Sequence, residues 1–308
     1  MRAAILRRPH VAVEIEQVEL DDPESGEVRV SLAAAGVCRS DLHRLNGHSA
    51  VKTLPFILGH EGAGIVQEVG AGVSSVKAGD HVVFSLTAQC GLCRNCTVGR
   101  ANLCEWHALG TGLMPDGTNR FSQEGQPVYA DLATFSEETV VAESYLVKIR
   151  NDVALDKACL VGCGVMTGIG AVLNRARVEA GSTAVVIGCG GVGLNVVQGC
   201  ALASASKIIA VDTRDAKLAL AESVGATHLV NSSSQDALKE INRITGGGAD
   251  YSFEVVGVPD TLELAFGSIR MGGTTVMVGL PAQEARVSVP GRTLFFDRTL
   301  MGTFYGAA

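Results

Sequence analysis

The chain has no surplus of positive charge: 25 Lys and Arg stand against 32 Asp and Glu, for a formal net charge of -7, and the basic residues are scattered. A nucleic-acid backbone is held by clustered cations that displace its counterions, so no nucleic-acid partner is expected. An apolar leader is also missing. The first ten residues, MRAAILRRPH, are basic but contain no apolar core of signal-peptide length. No apolar run of membrane length is unbroken either. The most apolar stretch, 184–203, is interrupted by Gly188, Gly190, Gly191, Gly193, Asn195, Gln198 and Gly199, and no membrane span is expected. Solenoid-type repeats and low-complexity tracts are absent. What is present, 308 residues of which 47% are hydrophobic and 19% charged, suffices for two globular cores in a cytoplasmic protein.

The pattern of apolar residues changes midway. Up to about Lys148 it runs in short alternating segments, AAIL, VAVEIEQVEL, EVRVSLAAAGV, GAGIVQEVG and DHVVF, punctuated by Gly, Pro and Asp, which predicts an all-β, barrel-like half. Beyond about Asp152, TAVVIG, KIIAVD, THLVN, DYSFEVVG, TTVMVG and LMGTFYG read as buried strands. Helical stretches such as DAKLALAESVGA and PDTLELAFGSIR separate most of them. Strands alternating with helices predict a parallel, doubly wound sheet, so the fold class is α/β.

Nine cysteines in a chain of this kind point to thiolate chemistry before disulfides. Cys90, Cys93, Cys96 and Cys104 occur in QCGLCRNCTVGRANLC, spaced so that one loop can wrap four thiolates around a tetrahedral ion. Zinc is the expected occupant. A ferredoxin-type cluster places its fourth cysteine sooner and follows it with proline, whereas Glu105 follows Cys104. Four sulfurs close a site and leave no position for substrate, so the chemistry must lie elsewhere. Cys38 in GVCRSDLH, His60 in LGHEGAG and Cys163 in LVGCGVMTG are glycine-flanked donors from distant segments. Two thiolates and an imidazole would leave a fourth position for water or an alcohol oxygen. Taken singly, each reads better as something plainer: a lone cysteine is usually a small core residue, and His60 alone is more often a hydrogen-bonded residue at a strand end.

In AVVIGCGGVGL a buried strand runs into Gly188, Gly190 and Gly193 in the GxGxxG register, with Gly191 among them, at an expected helix N-terminus able to hold a pyrophosphate. A second strand, KIIAVD, ends in Asp212 at the distance where an acid accepts hydrogen bonds from the adenosine ribose. Its charge would repel a 2'-phosphate, favouring NAD over NADP, with Arg214 nearby working against that discrimination.

GVCRSDLH, GHEGAGIVQEVG, the four-cysteine lobe and VGCGVMTG occur in an order that resembles the zinc-dependent medium-chain alcohol dehydrogenases, across nearly the whole chain. The segments GLMPDGTNRF and TFSEETVV look like the class III branch and related bacterial enzymes, which act on thiol adducts of formaldehyde or on aryl alcohols. The resemblance implies a GroES-like β-barrel catalytic domain over 1–164, with its structural zinc lobe at about 88–106, and a Rossmann NAD-binding domain over 165–308. It further implies two zincs per chain: Cys38, His60 and Cys163 bind the catalytic one, with Glu61 beside it and Asp41 orienting His60. By the same resemblance, hydride is expected to pass from alcohol to NAD, while a proton leaves through Ser40, the nicotinamide ribose and His43. Arg39 is implied as a pyrophosphate contact, Lys217 as a ribose contact, and Thr167 and Val192 as packing at the nicotinamide end; Leu86 is expected to line the substrate cleft.

Two departures qualify this. Members of the family usually continue for several dozen residues past a segment like GTFYG and return to complete the first domain, so the return segment is expected to be missing and the chain to be a fragment or the product of a truncated gene. The glutathione-adduct branch also carries an arginine shortly after the fourth cysteine, where Glu105, Trp106 and His107 stand here, which points away from a glutathione adduct. The expected function is oxidation of a primary or aryl alcohol to an aldehyde by a homodimer or homotetramer, the final strand TLMGTFYG offering an edge for pairing. A thiol-adduct formaldehyde dehydrogenase and an inactive zinc- and nucleotide-binding fragment are the alternatives.

Overall fold

The computed structural model describes residues 1–49, 51–105, 111–114 and 116–308, so Trp106 and His107 lie outside the described residues. The chain divides into two compact units, Met1–Cys163 and Gly164–Ala308.

The first unit is built from small, mostly antiparallel sheets. Its longest strand, Glu27–Gly36, pairs with Glu61–Val69 on one side and Glu138–Ala142 on the other, and His81–Phe84 and Leu146–Lys148 complete five strands. Val28, Val30, Val66, Val82, Phe84, Leu132 and Val141 form the core against that sheet. A four-stranded sheet contains Arg2–Leu6, Glu14–Gln17, Phe56–Ile57 and Tyr129–Ala130, and a three-stranded one contains Glu19–Leu20, Phe121–Gln123 and Gln126–Pro127. The sequence pattern VAVEIEQVEL reads as one strand, but it is divided between these two sheets. The break is at Val18, whose side chain is buried and whose N–H and C=O both bond Met1 (2.8 and 2.9 Å), so the chain is released to pair with Phe121–Gln123. Arg120, next to that strand, reaches into the interior and grips Glu27 with two hydrogen bonds, Nε to Oε2 at 2.8 Å and Nη2 to Oε1 at 2.7 Å. Both side chains are buried.

The second unit is a six-stranded parallel sheet in the order His228–Asn231, Lys207–Asp212, Thr183–Ile187, Ala249–Glu254, Ile269–Met277, Thr299–Gly302. This is the doubly wound order in which the strand sequence reverses beside the first strand. Alternate side chains go to opposite faces: Ala184 and Val186 join one core, Val185 and Ile187 the other. Both faces are therefore covered, which explains why these strands read as continuous apolar runs. The LMGTFYG strand stops at Gly302, and Tyr305–Ala307 instead form a 3-10 turn whose Gly306 carbonyl accepts a hydrogen bond from Asn174 Nδ2. Among the described residues no single helix is long and apolar enough to cross a membrane.

Candidate metal centres and dinucleotide turn

In the lobe, the four sulfurs of Cys90, Cys93, Cys96 and Cys104 lie within 4.8 Å of one another. Cys90 Sγ accepts N–H bonds from Leu92 (3.4 Å) and Cys93 (3.2 Å), and Cys104 Sγ accepts one from Cys90 (3.4 Å). Such donors stabilise sulfur in its anionic, metal-binding form. The N–H groups of Glu105 and then Cys96 pull the Cys93 thiol down to about 6. Cys90 and Cys96 stand 4.0 Å apart, against about 3.8 Å for the edge of a tetrahedron with Zn–S bonds near 2.3 Å. The donor set fits one zinc ion.

The second cluster joins the remote segments. Cys38, His60, Glu61 and Cys163 bring their ligand atoms within 4.8 Å of one another. Cys38 is the N-cap of the helix Arg39–Leu45, fixed there because Asp41 Oδ2 accepts its N–H at 3.1 Å. The other oxygen of Asp41 faces His60 Nδ1 at 3.2 Å. With Nδ1–H donating to that carboxylate, Nε2 is the ring nitrogen left for a metal. Ser40 Oγ is 3.4 Å from Nε2, on the metal-facing side of the ring. His60 and Glu61 sit where the strand Glu61–Val69 begins, opposite Gly36, and a Cβ built on Gly36 would stand 2.2 Å from Glu61 Oε2. Only glycine leaves room for that carboxylate. Cys163 lies between the 3-10 turn Cys159–Gly162 and the helix Gly164–Gly170 and belongs to the first unit.

The charges within this cluster are tightly shared. A hydrogen bond from the Cys163 thiol, with help from His60 and Ser40, pulls Cys38 down to about 3, while Cys163 itself is pushed far up by that bond and by burial. Burial opposes protonation of His60, but Asp41 and Cys38 outweigh it and hold the ring up at about 10. Glu61 is pushed up to about 7, first by burial and then by the Cys38 charge. A divalent cation would displace these shared protons and neutralise two thiolates, so the donors fit an open zinc site. One consequence is measurable in metal-stripped protein. Because Cys38 is ionised above about 3, its alkylation by iodoacetamide should be nearly constant from about pH 5 to about pH 8, whereas an ordinary thiol gains about tenfold per unit. A tenfold-per-unit rise at the Cys38 peptide would contradict the arrangement.

In the second unit, Gly188 has φ +95°, and a Cβ on Gly193 would fall 1.8 Å from Gly188 O. The turn therefore closes tightly onto the helix Gly191–Leu202, with Gly190 as N-cap and Val192 in its first turn. Asp212 ends its strand as expected, and its carboxylate accepts N–H bonds from Cys189 (2.9 Å) and Arg214 (3.1 Å), with Lys217 Nζ 3.6 Å away. Asp212 and the glycine turn are thus brought together. Thr167 lies in the helix Gly164–Gly170, which packs on Gly191–Leu202 through Gly168. Arg39 and His43 are on the helix Arg39–Leu45 and Leu86 is half-buried beyond His81–Phe84, all in the first unit.

Residues 24–151 match the alcohol dehydrogenase GroES-like domain family, and 191–308 match the zinc-binding dehydrogenase family. The chain belongs to the zinc-dependent medium-chain alcohol dehydrogenases. It is 43% identical over 320 residues to the S-(hydroxymethyl)glutathione dehydrogenase of Paracoccus denitrificans, covering 100% of this chain and 85% of that protein. Among solved structures, an alcohol dehydrogenase zinc-binding domain protein from Burkholderia ambifaria is similar with a TM-score of 0.95 at 33% identity. The benzyl alcohol dehydrogenase of Acinetobacter calcoaceticus is similar with a TM-score of 0.94 at 30% identity, and each comparison covers 100% of this chain and 84% of the other. As a medium-chain alcohol dehydrogenase, the protein is a zinc-dependent, NAD-using oxidoreductase. Two features of this dehydrogenase escape sequence reading. Gly36 is unremarkable until Glu61 is seen against it, whereas Glu254 left a signal, an acid inside the apolar strand pattern DYSFEVVG.

Proposed function

We propose that the protein oxidises a primary alcohol, aryl or alkyl, to its aldehyde, with NAD accepting the hydride. The observation that carries this reading is the meeting of Cys38, His60 and Cys163 beside Glu61 in the first unit. Zinc held by these residues supplies, when bound, the Lewis acidity that eases loss of the alcohol proton. Asp41 keeps His60 in the tautomer and orientation that binding needs. Ser40 takes up the hydroxyl proton of the substrate as it gives its own onward toward His43, and His43 passes a proton to water. Burial, helped by the charges of Arg39 and His48, holds His43 below the usual imidazole range. With its pKa lowered, the ring is neutral at pH 7 and free to accept a proton. Gly188, Gly190, Gly191 and Gly193 take the pyrophosphate, and Asp212 takes the adenosine ribose, with Arg39, Lys217, Thr167 and Val192 as further cofactor contacts. Cys90, Cys93, Cys96 and Cys104 hold the structural zinc. Leu86 lines the alcohol pocket. The working form on this reading is a cytoplasmic homodimer or homotetramer.

The 43% identity to an S-(hydroxymethyl)glutathione dehydrogenase favours a second reading, in which the substrate is a thiol adduct of formaldehyde. Both are separated by NADH formation on a panel of benzyl alcohol, short primary alcohols and S-(hydroxymethyl)glutathione, with zinc counted in the same preparation. Turnover of free alcohols with two zincs per chain supports the first reading, and turnover of the adduct alone supports the second. NADH binding without turnover would leave only a binding module. Within the same assay, Ser40→Ala is expected to lower kcat about a hundredfold at normal zinc content; unchanged turnover would remove Ser40 from the proton path.

A further inference from the structure

We propose that Glu254, a carboxylate outside both metal clusters and the Gly188 turn, positions the loops that grip the dinucleotide and so sets how tightly the second unit holds it. This rests on the assignment of the Gly188 turn to NAD. Glu254 ends the strand Ala249–Glu254, in register with Ile187 on one side and Met277 on the other. Those neighbouring strand ends lie where the strand order reverses, and the crevice outside them is where such sheets take ligands.

The side chain is fully buried. Its Oε1 accepts three hydrogen bonds, from the N–H of Val256 (2.7 Å), the N–H of Gly257 (2.8 Å) and Thr261 Oγ1 (2.8 Å). Its Oε2 is buried and has no hydrogen-bond partner among the described residues. A carboxylate is an expensive group to bury, and an apolar residue would fill the volume at lower cost to folding. What the carboxylate adds is a fixed point for the turn that follows it. That turn forms the middle of three stacked loops. Beneath it, a Cβ built on Gly188 would stand 2.6 Å from Val256 Cγ2 and 3.4 Å from Val256 N, so Val256 lies directly on the glycine that opens the phosphate turn. On the other side, a Cβ on Gly279 would stand 2.3 Å from Gly257 N, and one on Gly257 would stand 2.5 Å from Leu280 O. The main chain of Glu254 joins this layer as well, its carbonyl accepting N–H bonds from Val278 (2.8 Å) and Gly279 (3.0 Å). Loosening Oε1 therefore frees the layer that rests on Gly188.

The test is a fluorescence titration of the full chain with NADH, alongside steady-state kinetics. Glu254→Ala leaves the N–H groups of Val256 and Gly257 without their acceptor, that of Gly257 in a buried position, and Kd for NADH should rise about tenfold or more, with KM for NAD rising in parallel and kcat changing less. Glu254→Gln retains an oxygen acceptor and should bind within about twofold of the original chain, a rescue that a general loss of packing would not show. Thr261→Val removes one of the three donors and leaves the carboxylate in place; its Kd should rise about three- to fivefold, which decides the matter even if Glu254→Ala fails to fold. Binding within twofold of the original by Thr261→Val, and by Glu254→Ala where it folds, would overturn the positioning role. Failure of the unsubstituted chain to bind NADH would instead overturn the assignment of the Gly188 turn, and this inference with it.

Discussion

Replacing Cys163 with alanine should reduce the metal content from two zincs per chain to one and lower kcat by about 10³–10⁴-fold, the rate equivalent of several kcal/mol of lost charge stabilisation. The two effects are linked through position. Cys163 shares one site with Cys38, His60 and Glu61, while the four lobe sulfurs form a separate set that the substitution does not touch. Elemental analysis should therefore find the remaining zinc in the lobe, and the first unit should retain its fold. Without its neighbour, Cys38 also loses the hydrogen bond that contributes most to its low pKa, so its alkylation should become more dependent on pH. Two zincs in an inactive protein, or one zinc with full activity, would contradict the assignment of the open site to this cluster.

Replacing Arg120 with alanine should destabilise the first unit by about 3–5 kcal/mol, because Glu27 is then left charged and buried with its bidentate partner removed. Arg120 is 4% exposed and Glu27 5%, so water cannot replace the lost donors without local opening. Among the described residues, the Glu24 N–H, 3.0 Å from Oε2, is the donor that remains to compensate. At about 2–4 °C per kcal/mol for a unit of this size, the corresponding calorimetric transition should fall by about 10 °C. Substituting both partners, Arg120→Met with Glu27→Leu, should recover most of the loss, since no unpaired charge remains. A shift below about 2 °C for the single variant would show that the pair is balanced by its own desolvation.

The two halves of the molecule were legible in the sequence to different depths. The lobe could be read residue by residue because its donors fall within one loop, and spacing alone limits what four nearby sulfurs can hold. The glycine turn and Asp212 were equally open, since a strand, a turn and a helix N-terminus follow one another along the chain. Cys38, His60 and Cys163 were different. Nothing local to any of them specifies a metal, and their meeting depends on the registers of Glu27–Gly36, Glu61–Val69 and His81–Phe84. Their grouping was available only through family resemblance. Contacts decided wholly by long-range packing left no usable pattern: Arg120 finding Glu27, Val18 splitting one expected strand into two, and Tyr305 turning away after Gly302.

The contrast between the two metal clusters also bears on how the chain matures. The lobe donors are contained between Cys90 and Cys104, so little loop-closure entropy opposes their gathering while the rest of the chain is still unstructured. The other cluster must wait for Cys163 to be synthesised and for the sheets between to zip into register. Loading of the lobe thus becomes an early, local event in biogenesis. On the proposed assignment, filling of the open centre requires that the first unit has finished folding, and reactivity would be gained last.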